Sequence, residues 1–417
     1  MLIVKSFQIN NGEKQLLRDL AKQYLEICQS DRNQSAKLLW KDHNSLRKTR
    51  PPVTIHSFWH TGPSIDPILP PNETEAFGWV ENWLKRQIWQ GTNIQDDTVF
   101  LPWFTVRALF QQPSRGIWGF DLDIATDKVS GGRRYLPVVK ELEQLNKLEA
   151  TPHKVLVKDG ETTCQLRDIF GDILPVHEDR STFYPLWGGT DLSEAAGALF
   201  GLTELMYLLY DNPEMVHSLM VFMRDAVIAN LKQGEATGDW SYAEQNNYFM
   251  PPFVDDLPDP TPNSFGANLK DLWFFTHAQE FQGVNAKLHE EFLLNYQMPI
   301  MELFGLVAYG CCESLDKKIH ILRKIPNLRR ICIGPTANME LSADQIGRDY
   351  ILSWRPNPSM VGPGYDLEKC RKIVRQGFQA SKECNIELML KEMMTIENDP
   401  KRLIDFAQMA MQESENV

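Results

Sequence analysis

Phe304-Gly-Leu-Val-Ala-Tyr-Gly-Cys-Cys-Glu313 runs directly into Ser314-Leu-Asp-Lys-Lys-Ile-His-Ile-Leu-Arg323. A short apolar run followed at once by helix-like spacing reads as a buried strand passing into a helix. The same unit recurs on either side. Leu272-Trp-Phe-Phe-Thr-His-Ala278 reads as a strand, with an amphipathic helix from about 286 to 304 behind it. Downstream, Leu328-Arg-Arg-Ile-Cys-Ile-Gly334, Tyr350-Ile-Leu-Ser-Trp354 and Ile386-Glu-Leu-Met-Leu-Lys391 read as strands, with helices beginning near Ser342, over 367–382 and over 400–413. Five strands alternating with five helices predict an α/β fold with a parallel sheet. No glycine-rich phosphate loop occupies these turns, so a TIM (β/α)8 barrel is expected rather than a dinucleotide-binding sheet.

The first half is less regular. Helices at about 12–28 and 33–47 precede the strand Val53-Thr-Ile-His-Ser-Phe-Trp59, and a helix at 74–90 leads to the strand Val99-Phe-Leu-Pro-Trp-Phe-Thr105. A hairpin is expected over 116–135, and helices over 193–211 and 213–234. The domain expectation is an N-terminal helical extension over 1–50 and one barrel with insertions over 51–417.

The chain has 417 residues, 43% of them hydrophobic, enough for a large core. A net charge of −12 without a basic run argues against nucleic acid as a partner. No run of eighteen apolar residues occurs, and the opening Met1-Leu-Ile-Val-Lys is too short for a signal peptide, so no membrane partner is expected. Seven cysteines at irregular spacing fit free thiols in a reducing, cytoplasmic setting.

In a barrel, residues just past the C-terminal ends of strands line the active face. Those positions hold Gln279 and Glu280; Cys311, Cys312 and Glu313; Thr336 and Asn338; Arg355 and Asn357; and Lys391 and Glu392. Glu280 and Glu313 are candidate proton carriers, while Arg355 and Lys391 are candidate cations for a developing anion. Trp59, His60, Gln279, Tyr309 and Asn357 are candidate substrate contacts. Thiolate is a nucleophile and a soft metal ligand, so Cys311 and Cys312 are candidate ligands, and Glu280 and His289 complete a carboxylate–imidazole–thiolate set of the kind zinc takes. Each has a structural alternative: a small buried thiol, a core histidine, a plain salt bridge, or an aromatic packed in the core.

Tyr309-Gly-Cys-Cys-Glu-Ser-Leu315, Ile325-Pro-Asn-Leu-Arg-Arg330, Arg355-Pro-Asn-Pro358 and Glu387-Leu-Met-Leu-Lys-Glu392 resemble the uroporphyrinogen decarboxylase-like superfamily, as do Asp271-Leu-Trp273 and the stretch from Ala278 to Phe292. The resemblance spans roughly 50–410 and implies a TIM barrel. It also implies either decarboxylation or zinc-dependent methyl transfer between a small O-, N- or S-methyl compound and a corrinoid carried by a partner protein. The sequence departs from both branches. The first strand lacks the arginine that grips carboxylates in the decarboxylase. The methyltransferase's His-x-Cys pair falls on Tyr309-Gly-Cys311, and its late cysteine falls near Met394. The expectation is a methyltransferase using zinc as a Lewis acid. A metal-free decarboxylase and a non-catalytic small-molecule binding barrel are the alternatives.

Overall fold

The structure, a computed structural model, describes residues 9–57, 69–126, 132–182 and 191–417. Trp59 and His60 lie outside the described residues. The strands are β1 (Val53–Ile55), β2 (Phe104–Arg107), β3 (Leu109–Phe110), β4 (Asp123–Thr126), β5 (Arg133–Leu136), β6 (Val155–Val157), β7 (Val176–Asp179), β8 (Trp273–Thr276), β9 (Leu306–Tyr309), β10 (Leu328–Ile333), β11 (Ile351–Trp354) and β12 (Asn385–Leu390).

Six of them form one curled parallel sheet in the order β1-β12-β11-β10-β9-β8. β2 and β7 form a separate parallel pair, and β3/β6 and β4/β5 are antiparallel pairs. Among the described residues, no ladder extends the large sheet beyond β1 or β8. Side chains occupy those edges instead. Val53 and Ile55 donate their amides to the carboxylates of Asp97 (2.9 Å) and Asp96 (2.7 Å), and Trp273 donates its amide to Gln245 (2.9 Å). A paired edge offers no free donors to another strand.

The five strand–helix units of the C-terminal half are present, with shorter helices than the periodicity predicts. The helix expected over 286–304 is Ala286–His289, a π-turn over Glu290–Leu294, and Asn295–Met301 with Pro299 inside it. Proline lacks the amide an α-helix needs and crowds the preceding turn. The helix expected over 193–211 breaks at Gly201, which has φ +75°, into Leu192–Phe200 and Leu202–Asp211 bent by 95°. Strand β7 and the β3/β6 pair went unpredicted, because β7 is largely polar and β3 and β6 are only two and three residues long. No single helix among the described residues is long and apolar enough to cross a membrane.

Period-two alternation gives the sheet two unlike faces. Outward, Val307, Tyr309, Ile331, Ile333, Leu352, Trp354, Leu388 and Leu390 pack in the main core with the helices. Inward, beside Phe275, Ala308 and Met389, the sheet carries Arg330, Cys332, Ser353, Glu387 and Lys391, and just past the end of β11 comes Arg355. The helix Asp31–Asn44 closes this inner face from below. Arg330 binds Glu387 through two bonds (2.8 and 2.9 Å), donates to Asn44 (2.6 Å) and also reaches Asn247. His43 lies 3.2 Å from Glu387. Burial alone would raise the Glu387 pKa, but Arg330 and His43 bring it from 4.5 to about 2.

Arg330→Met strands a fully buried carboxylate, and its expected cost is about 3–5 kcal/mol, read from the urea midpoint. Because Glu387 titrates lower in the folded protein than in the unfolded chain, its contribution is complete above about pH 4.5 and is lost as pH falls toward 2. An unchanged midpoint in the variant contradicts this role.

Candidate functional site

Gly310 makes the turn out of β9. Its φ is +96°, and a Cβ there would come within 2.5 Å of Leu315, so the chain turns at the one residue without a side chain to collide. Cys311, Cys312 and Glu313 follow. Glu313 is fully buried and accepts the amides of Ala278 (2.8 Å) and Cys311 (2.7 Å), tying the exits of β8 and β9 together. Expected from sequence as a proton carrier, it is placed here where it fixes backbone.

The two thiols meet Lys391 and Glu392 from the end of β12. Cys312 Sγ lies 3.4 Å from Cys311 Sγ, 3.0 Å from Lys391 Nζ and 3.0 Å from Glu392 Oε2. Lys391 also donates to Glu392 (2.6 Å) and to the Tyr248 hydroxyl (2.7 Å), and that hydroxyl sits 2.7 Å from Cys311 Sγ. The proton order follows: Lys391 donates to Tyr248, Tyr248 to Cys311, Cys311 to Cys312, and Cys312 to Glu392. The hydrogen bond from Cys311, and then Lys391, lower the Cys312 pKa despite burial. The same bond and burial raise that of Cys311, so Cys312 is the more acidic of the two thiols. Burial lowers the Lys391 pKa, but the thiols and Glu392 outweigh it and the net shift is upward. Burial, with Arg355 and Lys391 nearby, pushes His56 down to about 3.

Two residues of this cluster sit in strained backbone. Tyr248 has φ +52° and Glu392 φ +61°, a region costly for side chains with a Cβ. Arg355 lies deeper, 1% exposed, donating to Ser353 (2.5 Å) and Cys332 (3.3 Å) and stacking 5.4 Å from the Tyr248 ring. A cavity of about 210 Å³ opens beside His56, Phe249 and Met250. A larger one, about 490 Å³, lies away from the thiols, between His177, Glu244, Trp240 and Trp273.

Glu280 belongs to a second cluster at the exit of β8. His277 pairs with Asp191, and Ser193 Oγ donates to Glu280 (2.6 Å) and lies 3.0 Å from Asp191. Burial lowers the His277 pKa, but Asp191, Glu313 and Glu280 raise it to about 10. Burial, Asp191 and Glu280 raise that of Glu194 to about 7.

The expected Glu280–His289–Cys311 set is thus divided between places. His289 is fully buried, bonded at 2.8 Å to the Tyr309 hydroxyl, which donates to Gln297 (2.7 Å). Tyr309 points outward from β9, so both belong to the helix layer, and burial holds His289 neutral at about 3. Asn357 is exposed and caps the turn Pro358–Val361, accepting from Ser359 (3.0 Å). Gln279 is exposed, and Met394 is 78% exposed.

Sequence reasoning missed Tyr248, Asp191, Ser193, Glu194 and His277. His277 was within reach, because it directly follows the last residue of β8. Tyr248 enters from an irregular segment with no periodicity to flag it.

No protein-family model matches this chain, and no curated protein matches it. Among solved structures, 21 chains match. One is a methyltransferase from Methanosarcina mazei, 11% identical over 91% of this chain and 97% of its own, with a TM-score of 0.49. That likeness is one of outline only.

Iodoacetamide should alkylate Cys312 in preference to Cys311 at neutral pH, read by peptide mass spectrometry. Lys391→Met removes the ammonium and should move the midpoint of Cys312 alkylation up by about one pH unit or more. An unmoved midpoint would mean that Lys391 does not hold the thiolate.

Proposed function

We propose that this chain is a methyltransferase of the uroporphyrinogen decarboxylase-like superfamily, with its chemistry at Cys311, Cys312 and Glu392. The observation that carries the reading is the Cys312 thiol donating to the Glu392 carboxylate at 3.0 Å, with Cys311 beside it, at the sheet's C-terminal edge. Once that thiol loses its proton, two negative groups at that distance repel unless a cation lies between them. Lys391 fills part of that role, and the family resemblance points to zinc for the rest. The curled parallel sheet of six strands is compatible with the barrel that this reading requires.

The donor set suits zinc. One ligand atom from each of Cys311, Cys312 and Glu392 lies within 4.8 Å of the others, and three protein ligands leave a fourth position open. Tetrahedral zinc at about 2.3 Å from each thiolate holds the sulfurs about 3.8 Å apart, and here they are 3.4 Å apart. When bound, the metal supplies Lewis acidity toward the heteroatom that carries the methyl group.

The chain's own residues do the rest. Lys391 favours loss of the Cys312 proton and, bonded here to Glu392 at 2.6 Å, would be able to steady a developing anion. Arg355 adds positive potential from below. Tyr248 closes the inner side and shields the thiols from water. The cavity beside His56 is smaller than most ligand pockets, which favours a compact substrate. A corrinoid protein would dock over the C-terminal face of the sheet. A metal-free decarboxylase is the second reading, favoured by the buried cations Arg355 and Lys391, which are of the kind that hold a carboxylate.

By elemental analysis, protein reconstituted with zinc should hold about one ion per chain more than Cys312→Ser does, and methyl transfer to free cob(I)alamin should be lost in that variant. Turnover that survives chelation, or zinc retained in full by Cys312→Ser, overturns the metal-dependent reading.

A further inference from the structure

We propose that Asp191, His277 and Glu280, with Glu194 beside them, form a second, distinct site for a divalent cation of the class that Mn²⁺ represents. One ligand atom from each of Asp191, His277 and Glu280 lies within 4.8 Å of the others, a span that one ion with bonds of about 2.0–2.4 Å can bridge. Three carboxylates and one imidazole form a harder donor set than two thiols and a carboxylate, so the two sites should sort ions by softness.

The second observation is Glu194. It is 9% exposed, and its Oε2 has no hydrogen-bond partner among the described residues. The sequence Asp191-Leu-Ser-Glu194 has the spacing of a capping box, in which the fourth residue's carboxylate returns to the first residue's amide. Here only half of that box forms. Asp191 accepts the amides of Ser193 (2.8 Å) and Glu194 (3.1 Å), while the Glu194 Oε2 makes no return bond and its carboxylate feels the charges of Asp191, Glu280 and His277. A buried carboxylate without donors is costly, and a native protein keeps one where something else binds it.

Donor accounting gives the same answer. Three carboxylates present six oxygens, and among the described residues the donors facing them are three backbone amides (of Ser193, Glu194 and Glu280), one His277 N–H and one Ser193 hydroxyl. The single Ser193 proton stands between Asp191 and Glu280 and can serve only one at a time. Gly197 lets the Glu280 stem pack against the helix: a Cβ there would come within 2.9 Å of Glu280 Cγ. Binding at His277 Nε2 displaces the proton shared with Asp191, which leaves to solvent.

The test uses the full chain, stripped by chelator and titrated with MnCl₂, with free Mn²⁺ counted by electron paramagnetic resonance. One Mn²⁺ per chain is expected. Glu194→Gln and Glu280→Gln should each weaken it roughly tenfold or more, and Cys312→Ser should leave it unchanged. Glu194→Gln should also raise the Tm of the stripped protein while abolishing the Mn²⁺-dependent rise, which shows that the variant is folded. The proposal is overturned by no binding at millimolar Mn²⁺, by full binding in both glutamine variants, or by loss in Cys312→Ser. It is equally overturned if stripped Glu194→Gln melts below the parent, since the carboxylate would then be a structural group.

Discussion

Glu313 is the constraint on which the rest of the site depends. Its carboxylate is sealed from water and accepts one amide from the end of β8 and one from the end of β9. Bonds to a charged acceptor contribute about 1.5–3 kcal/mol each, which offsets the desolvation of the ion. The consequence is geometric. Ala278 follows His277, and Cys311 precedes Cys312, so one side chain sets the spacing of both clusters. Adjacent parallel strands diverge with twist, and this bridge holds two of their exits at a fixed separation.

The second feature is the unlike character of the two sheet faces. A parallel sheet covered by helices is expected to be apolar on the side they cover, and the outer face obeys. The inner face instead carries polar and charged groups that rise from Arg330 and Glu387 through Ser353 and Arg355 to Lys391. Each of these is paired or shared, as a low-dielectric interior demands. The net effect is positive potential beneath the thiols. That potential favours a thiolate at Cys312 and keeps His56 neutral.

Much of the fold was legible because the C-terminal half repeats one unit. The runs ending at Thr276, Tyr309, Ile333, Trp354 and Leu390 are long enough and apolar enough to read as strands. The inner-face charges were legible in principle: Glu387, Met389 and Lys391 fall at every second position, a period-two signal inside a run that looks uniformly apolar. Cys311, Cys312 and Lys391 stood out by position at strand ends. The partition of ligands did not. His289 falls on a helix whose buried side faces Tyr309, and nothing in its spacing separates a ligand from a core histidine. Asp191 and Glu194 were hidden by looking like an ordinary helix start. Tyr248 is invisible to periodicity because a left-handed backbone residue in an irregular segment delivers it.

The central claim is that two sulfurs and a carboxylate from different strand ends act together as one ligand set. Zinc K-edge X-ray absorption on the zinc-loaded full chain addresses it most directly. The account predicts a first shell with two sulfurs at about 2.3 Å and oxygen at about 2.0–2.2 Å. A shell of nitrogen and oxygen alone would contradict it.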